Sequence, residues 1–168
     1  CISSVAAAEE LKSRGLASFG SGFSAAALLH DIGKLILIQH LTPERLGQIS
    51  AFRASHPGHR SIDAENTVLG VNHATAGALV AENWNLPKDI VGAIRNHHNP
   101  SEWDADMCNG IILANQLALD NAGYTDFTLG DSEIVADAML ALSVEDETYL
   151  SVAKASNERF DTLIEFFS

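Results

Sequence analysis

Residues 24–34 read SAAALLHDIGK, a strongly apolar helical run that ends directly in an adjacent imidazole and carboxylate, His30 and Asp31. Burying an ionised carboxylate costs several kcal/mol or more unless it is paired, hydrogen-bonded or bound to a cation. Lys34, one turn further on, offers an ion pair, and with an Asp–His hydrogen bond this gives a metal-free reading. A divalent ion is the other reading, because imidazole nitrogen beside carboxylate oxygen suits manganese, iron, nickel or zinc.

Outward from that pair the chain is helical in pattern. SAAALLHDIGKLILIQHL reads as one helix with Ser24 as its N-cap and Gly33 as a loosening point. Before it, ISSVAAAEELKSRG reads as a helix stopped by Gly15. After it, Thr42-Pro43-Glu44 is an N-cap followed by a first-turn proline, and HPGHRS is a loop. IDAENTVLGVNHATAGALVAENW reads as the longest helix, crowded by small residues at Gly70, Ala74, Gly77, Ala78 and Ala81. Leu86-Pro87 breaks the pattern and opens PKDIVGAIRNHHN, with Ile90, Val91 and Ile94 on one face and Asn99-Pro100 as the stop.

Two further helices follow, NGIILANQLALDNAG and DSEIVADAMLAL. In the last, Ser143–Asp146 supplies an N-cap with acids in the first turn, and Leu150, Ala153, Asn157, Phe160, Ile164 and Phe167 form the packing face. Trp84 reads as a core plug and Cys108 as a small buried hydrophobe. Alternating strand patterns are absent, so the expected fold is all-α, a single compact bundle of about seven to nine helices. The whole of 1–168 is read as one domain.

Bulk properties narrow the function classes. Of 168 residues 46% are hydrophobic, enough for one core, and 22 Asp and Glu against 10 Lys and Arg give a formal net charge of −12. That field repels polyanions and no basic run reverses it, so nucleic acid is excluded as a partner. Cys1 and Cys108 are too few for a disulfide scaffold and fit a reduced, cytoplasmic chain. Nothing in these residues resembles a signal peptide, and no apolar run approaches the roughly 20 residues needed to span a bilayer, so no membrane association is expected. Phosphate-binding glycine loops and the G-x-S-x-G elbow are also missing.

The seven histidines divide in two. His40, His56 and His59 lie in or beside loops, whereas His30, His73, His97 and His98 sit in apolar helical contexts. Three separate helices thus bring imidazoles toward a bundle interior, where facing helices build metal sites. HDIGK, LGVNHATAGALVAENWNLP and IVGAIRNHHNP, in that order, resemble the HD metal-phosphohydrolase superfamily and, more narrowly, the HDOD (HD-related output) domains of bacterial signalling proteins. The resemblance runs to about Asn121.

In catalytic HD proteins the resemblance implies a first His, the His-Asp pair and a late Asp around a metal that activates water against a phosphoester. His30 and Asp31 match the pair, and His73 with His97 or His98 match the extra His that some members use for a second metal. The first His falls at Ser3 and the late Asp at Asn115, so two ligands are expected to be lost, with Asp120 the acid that could compensate. The HD-GYP relatives carry Gly-Tyr-Pro after their paired His; here the run is HHNPSEWDADM, and the later Gly123-Tyr124 is followed by Thr125.

The function expected is therefore a non-catalytic signal-transduction or protein-interaction module with a degenerate metal site and no catalytic residue. The alternative is a metal-dependent phosphohydrolase acting on a nucleotide or cyclic-dinucleotide phosphoester. No cofactor is required, one divalent ion (Mn, Fe, Ni or Zn) is allowed for, and the expected partners are signalling proteins, with a nucleotide ligand open. HDOD domains usually carry a further helical portion ahead of this one, so the chain is read as the C-terminal, HD-like part of a longer protein.

Overall fold

The computed structural model describes residues 2–16, 19–124 and 129–166. Among them are ten α-helices, one short 3-10 turn (Pro100–Glu102) and no strand. The helices are α1 (Ile2–Ser13), α2 (Phe23–Leu29), α3 (Ile32–His40), α4 (Pro43–Ser55), α5 (Ser61–Leu69), α6 (His73–Asn83), α7 (Lys88–Asn96), α8 (Ala105–Asn121), α9 (Leu129–Ala141) and α10 (Asp146–Phe166). The all-α class matches the sequence expectation; the helix count exceeds it because two expected helices are each split, and both splits shape the site.

The first split falls on His30-Asp31 itself. The His30 amide closes α2 on the Ala26 carbonyl at 2.8 Å, and the Asp31 carbonyl opens α3 by accepting from the Lys34 amide at 2.9 Å. Gly22, not Ser24, is the N-cap of α2; the Ser24 hydroxyl turns instead to Glu9. Gly33 does not loosen a helix. A Cβ there would lie 1.9 Å from the His73 carbonyl oxygen and 2.7 Å from the Gly77 nitrogen, so α3 and α6 cross backbone to backbone.

The second split is at Gly70, whose left-handed φ of 74° ends α5. Asn72 then caps α6 by accepting from the Thr75 amide at 2.9 Å. Ala74, Gly77, Ala78 and Ala81 are buried on α6 as their spacing predicts, while Gly70 lies exposed in the break.

The core gathers around α8, which packs against α1, α2, α9 and α10. Asp104 caps it by accepting from the Met107 amide at 3.1 Å, a turn earlier than the sequence pattern suggests. Met107, Ile111, Leu113 and Leu117 meet Leu11, Phe23 and Ile94 in one buried cluster. Cys108 is buried as expected, and burial pushes its thiol up to about 12, which leaves it unreactive.

Three expectations are corrected. Trp84 is 56% exposed at the end of α6 and plugs nothing; Phe23, fully buried, is the aromatic that fills the core. On α10 the buried positions are Val152 and Ser156, with Leu150 68% and Ile164 41% exposed, so the helix turns a different face inward than the apolar spacing suggests. Ser143 is no N-cap of that helix but a left-handed turn residue with φ 52°. Phe167 and Thr125 lie outside the described residues.

Candidate metal centre

Three chain breaks converge on one buried point: the α2–α3 junction with His30 and Asp31, the N-terminus of α6 with His73, and the end of α7 with His97 and His98. All five sequence-selected residues come together. His30, His73 and His97 are 1–3% exposed. The His30 Nε2 lies 3.4 Å from Asp31 Oδ2, the His73 Nε2 3.3 Å from Asp31 Oδ1, and the His97 Nε2 4.0 Å from that same oxygen.

Each ring is held from behind. His30 Nδ1 faces the Ala27 carbonyl at 2.9 Å, and His97 Nδ1 faces the Ile94 carbonyl at 2.7 Å. His73 Nδ1 faces a Glu65 carboxylate oxygen at 2.7 Å. A carbonyl or carboxylate oxygen only accepts, so Nδ1–H is the donor in all three and the Nε2 lone pair is left facing inward. This is the arrangement that metal-binding histidines adopt.

The inward atoms lack partners. His30 Nε2, His97 Nε2 and Asp31 Oδ1 are buried without a hydrogen bond. Each such group costs about 1–3 kcal/mol. His98 Nε2 and His73 Nε2 face one another at 3.0 Å, the separation expected of two nitrogens bound at about 2.1 Å to one ion and roughly at right angles. Two sets of donors lie close enough to share an ion, His73/His97/His98 and His30/Asp31/His97, with His97 common to both. The residues present therefore fit a divalent cation, which would satisfy every orphaned atom at once.

Electrostatics prepare the donors. Burial alone would raise the Asp31 carboxyl, but the electrostatic influence of the adjacent His30 ring, with Lys34 and His73, outweighs it and holds Asp31 well below the usual carboxylate range. Lys34 Nζ binds the outer oxygen, Oδ2, at 2.8 Å, as the sequence suggests. Burial, with the neighbouring imidazoles, pushes His97 and His98 well below their ordinary values. Both rings are thus neutral ligands at neutral pH.

A cavity of about 310 Å³ reaches the cluster from one side, lined by His97, His98, Lys34, Glu65, Arg53 and Asn115 among others. Asn115 shares that cavity's lining with His97 and His98, and its amide adds no charge there. Ser3 does not line that cavity; the buried serine of α1 is Ser4, and α1 packs on α2, α8 and α10. Asp120 does not compensate: it is exposed and bound to the Tyr149 hydroxyl at 2.6 Å and to Gln116 at 2.7 Å. The sequence reading missed Glu65. Its one signal was an acid placed just ahead of the Gly70 break that returns the chain to His73.

An all-α fold with a buried His-Asp pair met by histidines from two further helices defines an HD-type domain. The HDOD domain family model matches residues 4–100, and the chain belongs to that family. It is 35% identical over 75 residues, 43% of its length, to an uncharacterized protein of Treponema pallidum (strain Nichols), and spans 14% of that relative. A crystal structure from Shewanella amazonensis SB2B, described as a candidate phosphohydrolase, superposes with a TM-score of 0.64 at 22% identity. The match takes in 95% of this chain and 59% of that one, and shows a shared fold. No described helix is long and apolar enough to cross a membrane.

Proposed function

We propose that residues 1–168 form one HDOD output module that holds a single divalent ion as a structural clamp and works by engaging protein partners in signalling, without hydrolysis. The observation that carries this is the set of orphaned inward atoms, His30 Nε2, His97 Nε2 and Asp31 Oδ1. An ion held by them would tie the α2–α3 junction to the end of α7, and His73 Nε2, 3.3 Å from Asp31 Oδ1, would bring the start of α6 into the same register. The nitrogen-rich donor set favours iron, nickel or zinc over manganese.

Charge supports one ion rather than two. The carboxylates of Asp31 and Glu65 stand against the Lys34 ammonium, so one dication leaves a small positive excess, whereas a second would leave a large one in a buried place. Asn115 and Ser3 add no charge. The open cavity beside His97 and His98, with Lys34 and Arg53 on its wall, favours the second reading, a phosphohydrolase. In that reading the ion would supply Lewis acidity and an activated water, and Lys34 and Arg53 would orient an anionic substrate.

The two readings separate in a hydrolysis screen of the metal-loaded protein against bis-p-nitrophenyl phosphate, cyclic dinucleotides and nucleotides. No turnover above the Asp31→Asn variant is expected. Turnover that disappears with Asp31→Asn while the fold survives would establish the hydrolase.

A further inference from the structure

His30 Nε2, His97 Nε2 and Asp31 Oδ1 are shut off from solvent, so an ion reaches them only if part of the structure moves aside. The cavity that adjoins them is walled by Lys34 of α3, Ile49 and Arg53 of α4, Ser61 and Glu65 of α5, and residues of α8 and α9. These walls are rooted unequally. Ile62 and Ala64 of α5, Ile111 and Leu113 of α8, and Ala138 of α9 are buried, whereas no residue of α4 is.

The sequence of α4 also makes it a weak helix. It runs for 13 residues, a length that is marginal for a helix standing on its own in water. Gly47 lies in its interior, and a Cβ there would meet nothing within 4 Å, so no close packing calls for glycine. Glycine in such a position disfavours the helix about fourfold relative to alanine. The holds on the body are few. The Arg45 guanidinium donates to the Val68 carbonyl of α5, and Phe52 stacks at 4.2 Å on His56, the C-cap of its own helix. Leu41 and Thr42 ahead of α4 are extended. Behind it the 56–60 loop ends at Arg60, which is pinned to the His98 carbonyl at 2.7 Å.

We propose that α4 is the gate of the metal cavity: this helix opens locally between Leu41 and the pinned Arg60, withdrawing Ile49 and Arg53 from the wall and letting the ion in or out. Local opening at low free energy belongs to segments with few buried apolar contacts, and α4 has none. The proposal rests on reading the cluster as a metal centre. Because opening precedes both entry and exit, the gate sets the rate of exchange and leaves equilibrium affinity unchanged.

The test alters helix order at two exposed positions of α4 that do not line the cavity, Gly47 and Ala51. Gly47→Ala should slow the release of bound nickel into excess chelator by about fourfold, and Ala51→Gly should speed it by about the same factor. Nickel affinity at equilibrium should match the parent in both, since each substitution acts alike on the free and the loaded chain. Lys154→Gly, at an exposed position of α10 away from the cavity, should leave release unchanged, which separates opening of α4 from unfolding of the whole chain. Hydrogen exchange of the metal-free protein should find the α4 amides far less protected than those of α5 and α8. Equal release from the parent, Gly47→Ala and Ala51→Gly, an effect of Lys154→Gly as large as that of Ala51→Gly, or α4 amides as protected as those of α8 overturns the gate and leaves the metal reading standing. A chain that takes up no nickel while α4 exchanges readily overturns the metal reading, and the gate's role with it.

Discussion

Replacing Glu65 by alanine probes the clamp through a residue that does not itself face the inward donors. One oxygen of Glu65 accepts from both the His73 amide and the His73 Nδ1–H, each at 2.7 Å. Hydrogen bonds to a charged acceptor contribute about 1.5–3 kcal/mol apiece, and they share one oxygen, so Glu65→Ala should lower stability by about 2–4 kcal/mol in urea denaturation under chelator. The ring would also lose the partner that fixes its tautomer. Metal affinity should then fall by about 10–100-fold, measured by titration with nickel. Glu65→Gln retains an acceptor oxygen and should recover most of the stability but only part of the affinity. Nitrogen-15 spectra of the metal-free protein would report the His73 tautomer directly. If Glu65→Ala left nickel affinity and the Nδ1 proton of His73 unchanged, the reasoning would be refuted.

Other outcomes follow from the same geometry. Asp31→Asn should lower stability and abolish stoichiometric metal while leaving the helical spectrum intact; retention of a full equivalent of metal would contradict its place among the ligands. Asn115→Asp adds a carboxylate beside His97 and His98 and should tighten nickel binding by about tenfold or more; unchanged affinity would show that this side chain does not reach the site. Gly33→Ala should cost about 3 kcal/mol or more, because its Cβ would strike the backbone of α6 at 1.9 Å, and a melting temperature within experimental error of the parent would exclude that close crossing. Acid should destabilise the metal-free chain from about pH 6.5 downward. The unfolded imidazole binds a proton there and the buried His97 does not, so stability is complete above the ordinary value of 6.5 and falls below it, by up to about 1.4 kcal/mol per pH unit for each such ring. A flat urea midpoint between about pH 7 and pH 5 would contradict this.

The site was largely legible because its chemistry is unusual in apolar surroundings. His30, Asp31, His73, His97 and His98 each stood where a polar side chain is costly, and the structure brings all five to one point. The helix boundaries around them were less legible. A run such as SAAALLHDIGKLILIQHL has unbroken helical propensity, and only the crossing with α6 at Gly33 and Gly77 reveals why the chain turns at the His-Asp pair. Glu65 escaped notice because it acts through His73 across the Gly70 break, a contact without a fixed sequence spacing. Trp84 and the α10 stripe misled for a common reason: apolar spacing records which face is greasy, whereas burial depends on which neighbour is present to cover it. On α10 the residues that the body covers are Val152 and Ser156.

Metal content per folded chain is the decisive quantity. Protein stripped with chelator, reloaded with excess nickel or zinc and desalted should carry close to one ion by plasma mass spectrometry, and a His97→Ala variant, lacking the ring common to both donor sets, should carry almost none. Two tightly held ions per chain, or none in the parent protein, would contradict the single-ion clamp.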